Sequence, residues 1–249
     1  MSVVVGKMKE LSKEQLEKYG CSTFLSNIKE EGQLKLLNSK VLVVGAGGLG
    51  SHVLPILASS GVGYIGIVDN DVVSLHNLPR QTLYGYKDVG KSKVLLAKKK
   101  LKSLNPDIEV KTYKLYLDKN NARRVLKNYD IIVDCTDNFA TKFLINDTCL
   151  KLKIPFVCAG VSDYKGQVMT CIPNKSKDFK SLFSELPLNI DQKYIDEDKG
   201  VFPPAVAIIG NIAACEAMKY LLSIDELLLD SLLVVDTLNY SIKKIFIKS

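Results

Sequence analysis

The stretch Lys40–Gly50, KVLVVGAGGLG, constrains this chain more than any other segment. A short β-branched run, Lys40–Gly45, closes on glycines, and apolar residues then recur at helical spacing through Leu49–Ser60, so the segment reads as strand, tight turn and helix. Gly45, Gly47, Gly48 and Gly50 would let the backbone approach a phosphate, and the helix N-terminus favours an anion. About 19 residues further on, Asp69 ends a second strand (Tyr64–Asp69, YIGIVD), where a carboxylate takes ribose hydroxyls. A nucleotide site is predicted. The motif alone does not separate a nicotinamide enzyme from an ATP user. Pro55 lies inside the helix and removes the bond to the Ser51 carbonyl, so a local kink is expected while the helix persists.

Further along, the patterns give a helix over Lys91–Ser103, a strand over Ile108–Lys114, a short helix over Asn120–Lys127 and a strand over Asp130–Asp134. A helix over Phe139–Leu152, a strand over Pro155–Gly160 and a pairing strand over Gly166–Pro173 follow. This order predicts an α/β fold, a Rossmann-like mostly parallel sheet with helices on both faces. Asn174–Phe202 is polar and lacks periodicity, as a functional or disordered crossing loop would. Pro203–Leu222 reads as a nearly all-apolar helix with prolines in its first turn, which must be covered on most sides. Ser231–Thr237 and Ser241–Lys248 read as a hairpin, an antiparallel carboxyl-terminal extension of the sheet. The expected divisions are an amino-terminal helical segment (1–38), the Rossmann-like nucleotide-binding core (39–173), the crossing loop (174–202) and the apolar helix with the terminal hairpin (203–249), all in a single domain.

No apolar run reaches the roughly 18 residues needed to cross a bilayer without charge. With 47% hydrophobic and 24% charged residues, a cytoplasmic protein without a membrane partner is expected. The net charge of +7 is read as solvated lysine-rich helix faces, with an acidic protein partner as the sharper alternative. Nucleic acid is not expected as a partner, because the basic residues are not interleaved with stacking aromatics. The six cysteines, Cys21, Cys135, Cys149, Cys158, Cys171 and Cys215, form no CxxC pair and read mostly as small buried hydrophobes.

Three further segments carry chemistry. Asn77-Leu78-Pro79-Arg80-Gln81 follows the Asp69–Asp71 turn, Lys93 opens the next helix, and Asp134-Cys135-Thr136-Asp137-Asn138 ends a parallel strand. Such a sheet gathers all three at the carboxyl ends of its strands. Two cations and a carboxylate suit a triphosphate with Mg²⁺ better than nicotinamide, because they offset the charge of a pyrophosphate leaving group. Each residue also has a plain structural reading: Arg80 and Lys93 as solvated surface charge, Asp137 as a helix N-cap. Their joint spacing favours the site.

On these residues the sequence resembles the ThiF/MoeB/HesA family, the bacterial relatives of ubiquitin-activating enzymes, from about Leu16 to Lys248. The strongest stretches are VLVVGAGGLG, GVGYIGIVDNDVVSLHNLPRQTL, DVGKSKV, LNPDIEV and DIIVDCTDNFATK. The resemblance implies that Gly48, Asp69, Asn77, Arg80, Lys93 and Asp137 contact ATP or its Mg²⁺, with Asp137 as the metal ligand. Gly45, Gly47, Gly50, Asp71, Gln81 and Asn138 complete the expected nucleotide-binding set, and Arg80, Lys93 and Asp137 are the expected catalytic residues. The partner it implies is a small ubiquitin-fold sulfur-carrier protein with a Gly-Gly tail, whose carboxylate attacks the α-phosphate to give an acyl-adenylate. A homodimer sharing the Pro203–Leu222 helix is also implied. The attacking carboxylate is already ionised, so no general base is required, and His76 is expected to shape its loop.

The sequence departs from the family at three places. Asp178 and Ser181 stand where many relatives carry the first of two zinc-binding CxxC pairs, so no zinc site is expected. Asp196 aligns with a crossing-loop cysteine of some relatives, so no thioester step is expected. Cys21 replaces an amino-terminal arginine that reaches the other subunit's triphosphate, so either catalysis is weaker, or Lys18 or Lys13 substitutes, or an unlike partner supplies the charge. These losses keep open a second reading, a non-catalytic nucleotide-binding partner subunit; an NAD-dependent oxidoreductase is a distant third.

Overall fold

The computed structural model describes residues 8–183 and 200–247. Ser12 opens α1 (Lys13–Lys18) with a reciprocal cap: Gln15 N donates to Ser12 Oγ at 3.2 Å and Ser12 N to Gln15 Oε1 at 3.0 Å. Helices α2 (Gly20–Thr23) and α3 (Lys29–Leu37) then lead into β1 (Lys40–Val44). The chain continues through α4 (Gly48–Ser59), β2 (Tyr64–Val68), α5 (Lys93–Leu104), β3 (Glu109–Tyr113), α6 (Ala122–Leu126), β4 (Ile131–Asp134), α7 (Phe139–Leu152), β5 (Phe156–Ser162) and β6 (Lys165–Cys171). Helix α8 (Pro203–Leu222) and strands β7 (Ser231–Asp236) and β8 (Ser241–Phe246) complete it.

The eight strands form one sheet in the order β3-β2-β1-β4-β5-β6-β7-β8. The first five run parallel and the last three pair antiparallel, which is the expected architecture. Strands buried on both faces share their side chains between two cores. Val41, Val43, Ile65, Ile67, Ile131 and Val133 face α4 and α8, whereas Leu42, Val44, Ile132 and Phe156 face α6 and α7.

Several boundaries move for local reasons. Helix α5 starts at Lys93 rather than Lys91 because extended Ser92 bridges to Val72, with Val73 N donating to Lys91 O at 2.9 Å and Gly90 N to Val73 O at 2.8 Å. Helix α6 starts late because Asp118 Oδ1 accepts from Asn120 N and Asn121 N, at 2.8 and 2.9 Å. Strand β5 runs on to Ser162 because its pairing with β6 continues to the Ser162–Lys165 register. Helix α4 continues through Pro55 as expected.

By length and composition α8 is apolar enough to span a membrane, but here it packs against α4 and the sheet. A Cβ at Gly210 would lie 2.8 Å from His52 Cβ and 2.9 Å from Leu49 O, so glycine sets the distance between the two helices. Buried Glu216 accepts from Thr170 Oγ1 at 2.6 Å and from Leu228 N at 2.8 Å, and it pairs with Lys219. These bonds tie α8 to β6 and to the segment leading into β7.

Candidate functional site

Strand β1 lies between β2 and β4, so the strand order reverses at its carboxyl end and opens a crevice there. The glycines of the loop leaving β1 divide into two kinds. Gly45 has φ +96° and its N–H donates to Val68 O at 2.8 Å; a Cβ on it would lie 2.8 Å from Cys135 O. A Cβ on Gly50 would lie 2.1 Å from Gly45 O. Those two positions are closed by backbone. Gly47 and Gly48 instead face side chains: added Cβ atoms would meet Gln81 Nε2 at 3.5 Å from Gly47, and Val206 Cγ1 at 2.9 Å and Arg80 Cγ at 3.8 Å from Gly48. Arg80 and Gln81 therefore sit against the loop.

Asp69 ties this loop to the next turn, with Oδ2 accepting from Ala46 N and Oδ1 from Asp71 N, both at 2.8 Å. Buried Lys93 donates to Asp71 Oδ2 at 2.9 Å, and Lys93 N donates to Asp71 O at 3.1 Å. Asn77 is an internal brace. Its Oδ1 accepts from Ser74 N and Ser74 Oγ at 3.2 and 2.8 Å, and its Nδ2 lies 3.0 Å from His76 Nε2. The other His76 nitrogen lies 3.1 Å from Ser74 Oγ, so the ring shapes the loop. Arg80 Nη1 donates to His76 O at 2.8 Å, engaging one of the guanidinium's five N–H groups. Gln81 Oε1 is buried and finds no hydrogen-bond partner among the described residues. Leaving such an acceptor unpaired costs about 1–3 kcal/mol, which marks it as an atom that a ligand donor would satisfy.

After β4 the chain turns at Asp134, whose Oδ1 accepts from Thr136 N at 2.9 Å and Thr136 Oγ1 at 2.6 Å. The cap of α7 belongs to Asn138, which accepts from Thr141 N at 2.9 Å. The plain reading of Asp137 as that cap is thereby corrected: Asp137 is exposed and its carboxylate has no partner among the described residues. Since Gly45 packs on Cys135 O, the Asp137 loop lies beside the glycine loop.

Three contributors to this end of the sheet escaped the sequence reading. Tyr84 donates to the Ala46 carbonyl, Val206 of α8 touches Gly48, and Lys142 reaches Asp134 beneath the Asp137 loop. Lys142 had a signal, since it falls on the helical stripe Thr141, Ile145, Asn146 and Cys149 that α7 buries.

At the amino end Cys21 is exposed, while Lys18 Nζ donates to Asn105 Oδ1 at 2.5 Å and Asp107 Oδ2 at 3.2 Å. Lys18 is committed within its own chain. Asp178 and Ser181 are joined to each other: Ser181 N and Oγ donate to Asp178 Oδ1 at 3.0 and 2.5 Å, and Asn146 Nδ2 donates to Oδ2 at 3.1 Å. Asp196 and most of the crossing loop lie outside the described residues. Cys158 and Cys171 are buried in strands. Burial pushes both thiols up, Cys171 to about 12, so neither is a thiolate nucleophile at neutral pH.

A sequence model of the ThiF family matches residues 19–249. The sulfur carrier protein adenylyltransferase of Thermus thermophilus is 38% identical over 242 residues, covering 95% of this chain and 89% of that protein. A probable molybdopterin-synthase adenylyltransferase of Porphyra purpurea is 36% identical over 233 residues, 94% of this chain but 61% of that protein. Among solved structures, E. coli MccB with ATP superposes with a TM-score of 0.77 at 28% identity, covering 86% of this chain and 66% of that one.

Proposed function

The chain belongs to the ThiF family, and from that premise we propose that it uses ATP to adenylate the C-terminal carboxylate of a small ubiquitin-like sulfur carrier, releasing pyrophosphate. A Gly-Gly tail is the end we assign to the carrier, as the family resemblance implies. The observation that carries the reading is the seating of Arg80 and Gln81 against Gly48 and Gly47, which roots the arginine side chain beside a loop shaped for phosphate.

The carrier's carboxylate is ionised at neutral pH and attacks the α-phosphorus; the bond to the bridging oxygen breaks and pyrophosphate leaves. No proton must be moved, which suits a site whose nearest histidine is spent on its own loop. The chain's work is positioning and charge. Gly45, Gly47, Gly48 and Gly50 shape the phosphate approach, Asp69 offers its remaining lone pairs to the ribose, and Asn77 and Asp71 hold Arg80's segment and Lys93. Arg80 and Lys93 offset charge on the departing pyrophosphate. Asp137, an exposed carboxylate without a partner among the described residues, suits a hard cation such as Mg²⁺, with Asn138 anchoring its loop. Bound there, Mg²⁺ would neutralise phosphate charge as a Lewis acid.

Pro204, Ile208, Asn211 and Cys215 form an exposed, largely apolar face of α8, and Ile56 of α4 is also exposed. A homodimer that covers this face is part of the proposal.

ATP–pyrophosphate exchange with ubiquitin-like carriers, intact or lacking the Gly-Gly tail, tests it. Exchange should require the intact tail and fall about 100-fold or more in Arg80→Ala and Asp137→Ala. ATP binding without exchange on any carrier would instead favour the non-catalytic partner subunit, which the commitment of Lys18 to Asp107 and the exposed Cys21 make the second reading.

A further inference from the structure

The last residue of β4 and the second turn of α7 carry opposite charges that meet inside the protein. Asp134 is 1% exposed and Lys142 8%. Lys142 Nζ lies 3.4 Å from Asp134 Oδ2, donates to Ala159 O of β5 at 2.7 Å, and sits 3.9 Å from Cys158 Sγ. The Cys158 thiol in turn lies 3.7 Å from Asp134 Oδ2, its register neighbour in the sheet.

Stability alone is a poor reason to keep such a pair. Removing two charges from water offsets much of their attraction, and apolar groups of similar volume often serve as well. Burial lowers the affinity of Lys142 for its proton, but Asp134 and the neighbouring thiols outweigh it and the ammonium is retained. What the pair adds is geometry. It joins β4, β5 and α7 around the loop Cys135–Asn138. The bonds from Thr136 to Asp134 fix the entrance of that loop and the Asn138 cap fixes its exit. Asp137 stands between them.

We propose that the Asp134–Lys142 pair positions Asp137, holding the Cys135–Asn138 loop so that its carboxylate meets the metal that accompanies the nucleotide. Both are positioning residues acting through the loop. The role given to Asp137 rests on the adenylation reading; the clamp on the loop does not.

Lys142→Met alone strands a buried carboxylate and risks unfolding. The double variant Asp134→Asn/Lys142→Met removes both charges and keeps an amide oxygen to accept from Thr136. Two readouts apply to folded protein: backbone hydrogen exchange over Cys135–Asn138, and calorimetric ATP affinity with and without Mg²⁺. In the double variant, loop exchange should speed up about tenfold or more, and the affinity gained on adding Mg²⁺ should drop by a similar factor. Affinity for ATP without Mg²⁺ should stay within about threefold. A folded double variant with parental loop exchange and a parental Mg²⁺ response would overturn the proposal. If the parent chain shows no Mg²⁺-dependent ATP binding, the adenylation reading falls, and loop exchange alone decides whether the pair holds the loop.

Discussion

The hydroxyl of Tyr84 donates a 2.8 Å hydrogen bond to the carbonyl of Ala46, inside the protein and across 38 positions of sequence. The bond fastens the turn that follows Arg80 and Gln81 to the glycine loop against which those residues sit. Burial, reinforced by the Asp69 carboxylate, pushes the phenol far above its ordinary value, so it stays a donor at any working pH. Tyr84→Phe removes one neutral hydrogen bond and should cost about 1 kcal/mol in a urea titration. The same free energy, felt at the loop, corresponds to roughly fivefold weaker ATP binding. Unchanged ATP affinity would confine Tyr84 to a structural role.

Two glycines of the same loop should respond to alanine in opposite ways. At Gly50 the new Cβ meets the Gly45 carbonyl at 2.1 Å, backbone against backbone, and nothing can rotate away. Gly50→Ala should lose more than about 3 kcal/mol and melt well below the parent. At Gly48 the nearest atom is Val206 Cγ1, at 2.9 Å, a buried side chain rather than backbone. Gly48→Ala should fold with a smaller penalty, about 1–3 kcal/mol, but bind ATP about tenfold or more weakly, because the loop must shift to clear Val206. Thermal melts paired with calorimetric titration separate the two effects. Equal destabilisation of both variants would remove the distinction.

These glycines also show which parts of the molecule are local in sequence. The strand–glycine–helix turn and Asp69 are set by contiguous residues, and α7 and α8 begin and end at Phe139–Leu152 and Pro203–Leu222 as their patterns predict, because Asn138 caps one and prolines open the other. The start of α5 was not readable, since it depends on Val73 pairing with Lys91 across a loop. The state of Asp137 was ambiguous for a different reason: Asp137 and Asn138 are equally good caps, and only the backbone path assigns that role to Asn138 and leaves the carboxylate of Asp137 exposed. Tyr84 and Lys142 meet their partners through the fold rather than along the chain, and neither residue type announces a site by itself.

The Asp178 carboxylate makes a pH-dependent contribution with a defined sign. Burial works to raise its pKa, but the hydrogen bonds from Ser181 and Asn146 outweigh that and hold it below the ordinary carboxylate value. Between the folded and unfolded values the unfolded chain binds more protons, so stability rises with pH there. The contribution is complete above the unfolded value of about 4 and is lost as pH falls through the folded one. Asp178→Asn should therefore cost about 1 kcal/mol at neutral pH, a figure already reduced for solvent screening. Urea midpoints for parent and variant should differ at neutral pH and converge in strong acid. A gap that is independent of pH would mean that the charge of Asp178 contributes nothing.

The thiols report the state of α8. Cys135, Cys149, Cys158 and Cys171 are buried, and burial raises all four thiols well above their ordinary range, so an aromatic disulfide reagent should reach them only after unfolding. Cys21 and Cys215 are exposed on the single chain. Cys215 lies on the α8 face with Ile208 and Asn211, the face that the proposed homodimer covers, whereas Cys21 lies in α2. A monomer should thus react quickly at Cys215, and a dimer closed over α8 slowly, with the rate at Cys215 rising on dilution. Replacing Ile208 with Glu places a charge in that face and should restore fast reaction at Cys215 while halving the mass seen in light scattering. If Cys215 reacts as fast in a confirmed dimer as in the Ile208→Glu variant, the subunits meet through some other surface.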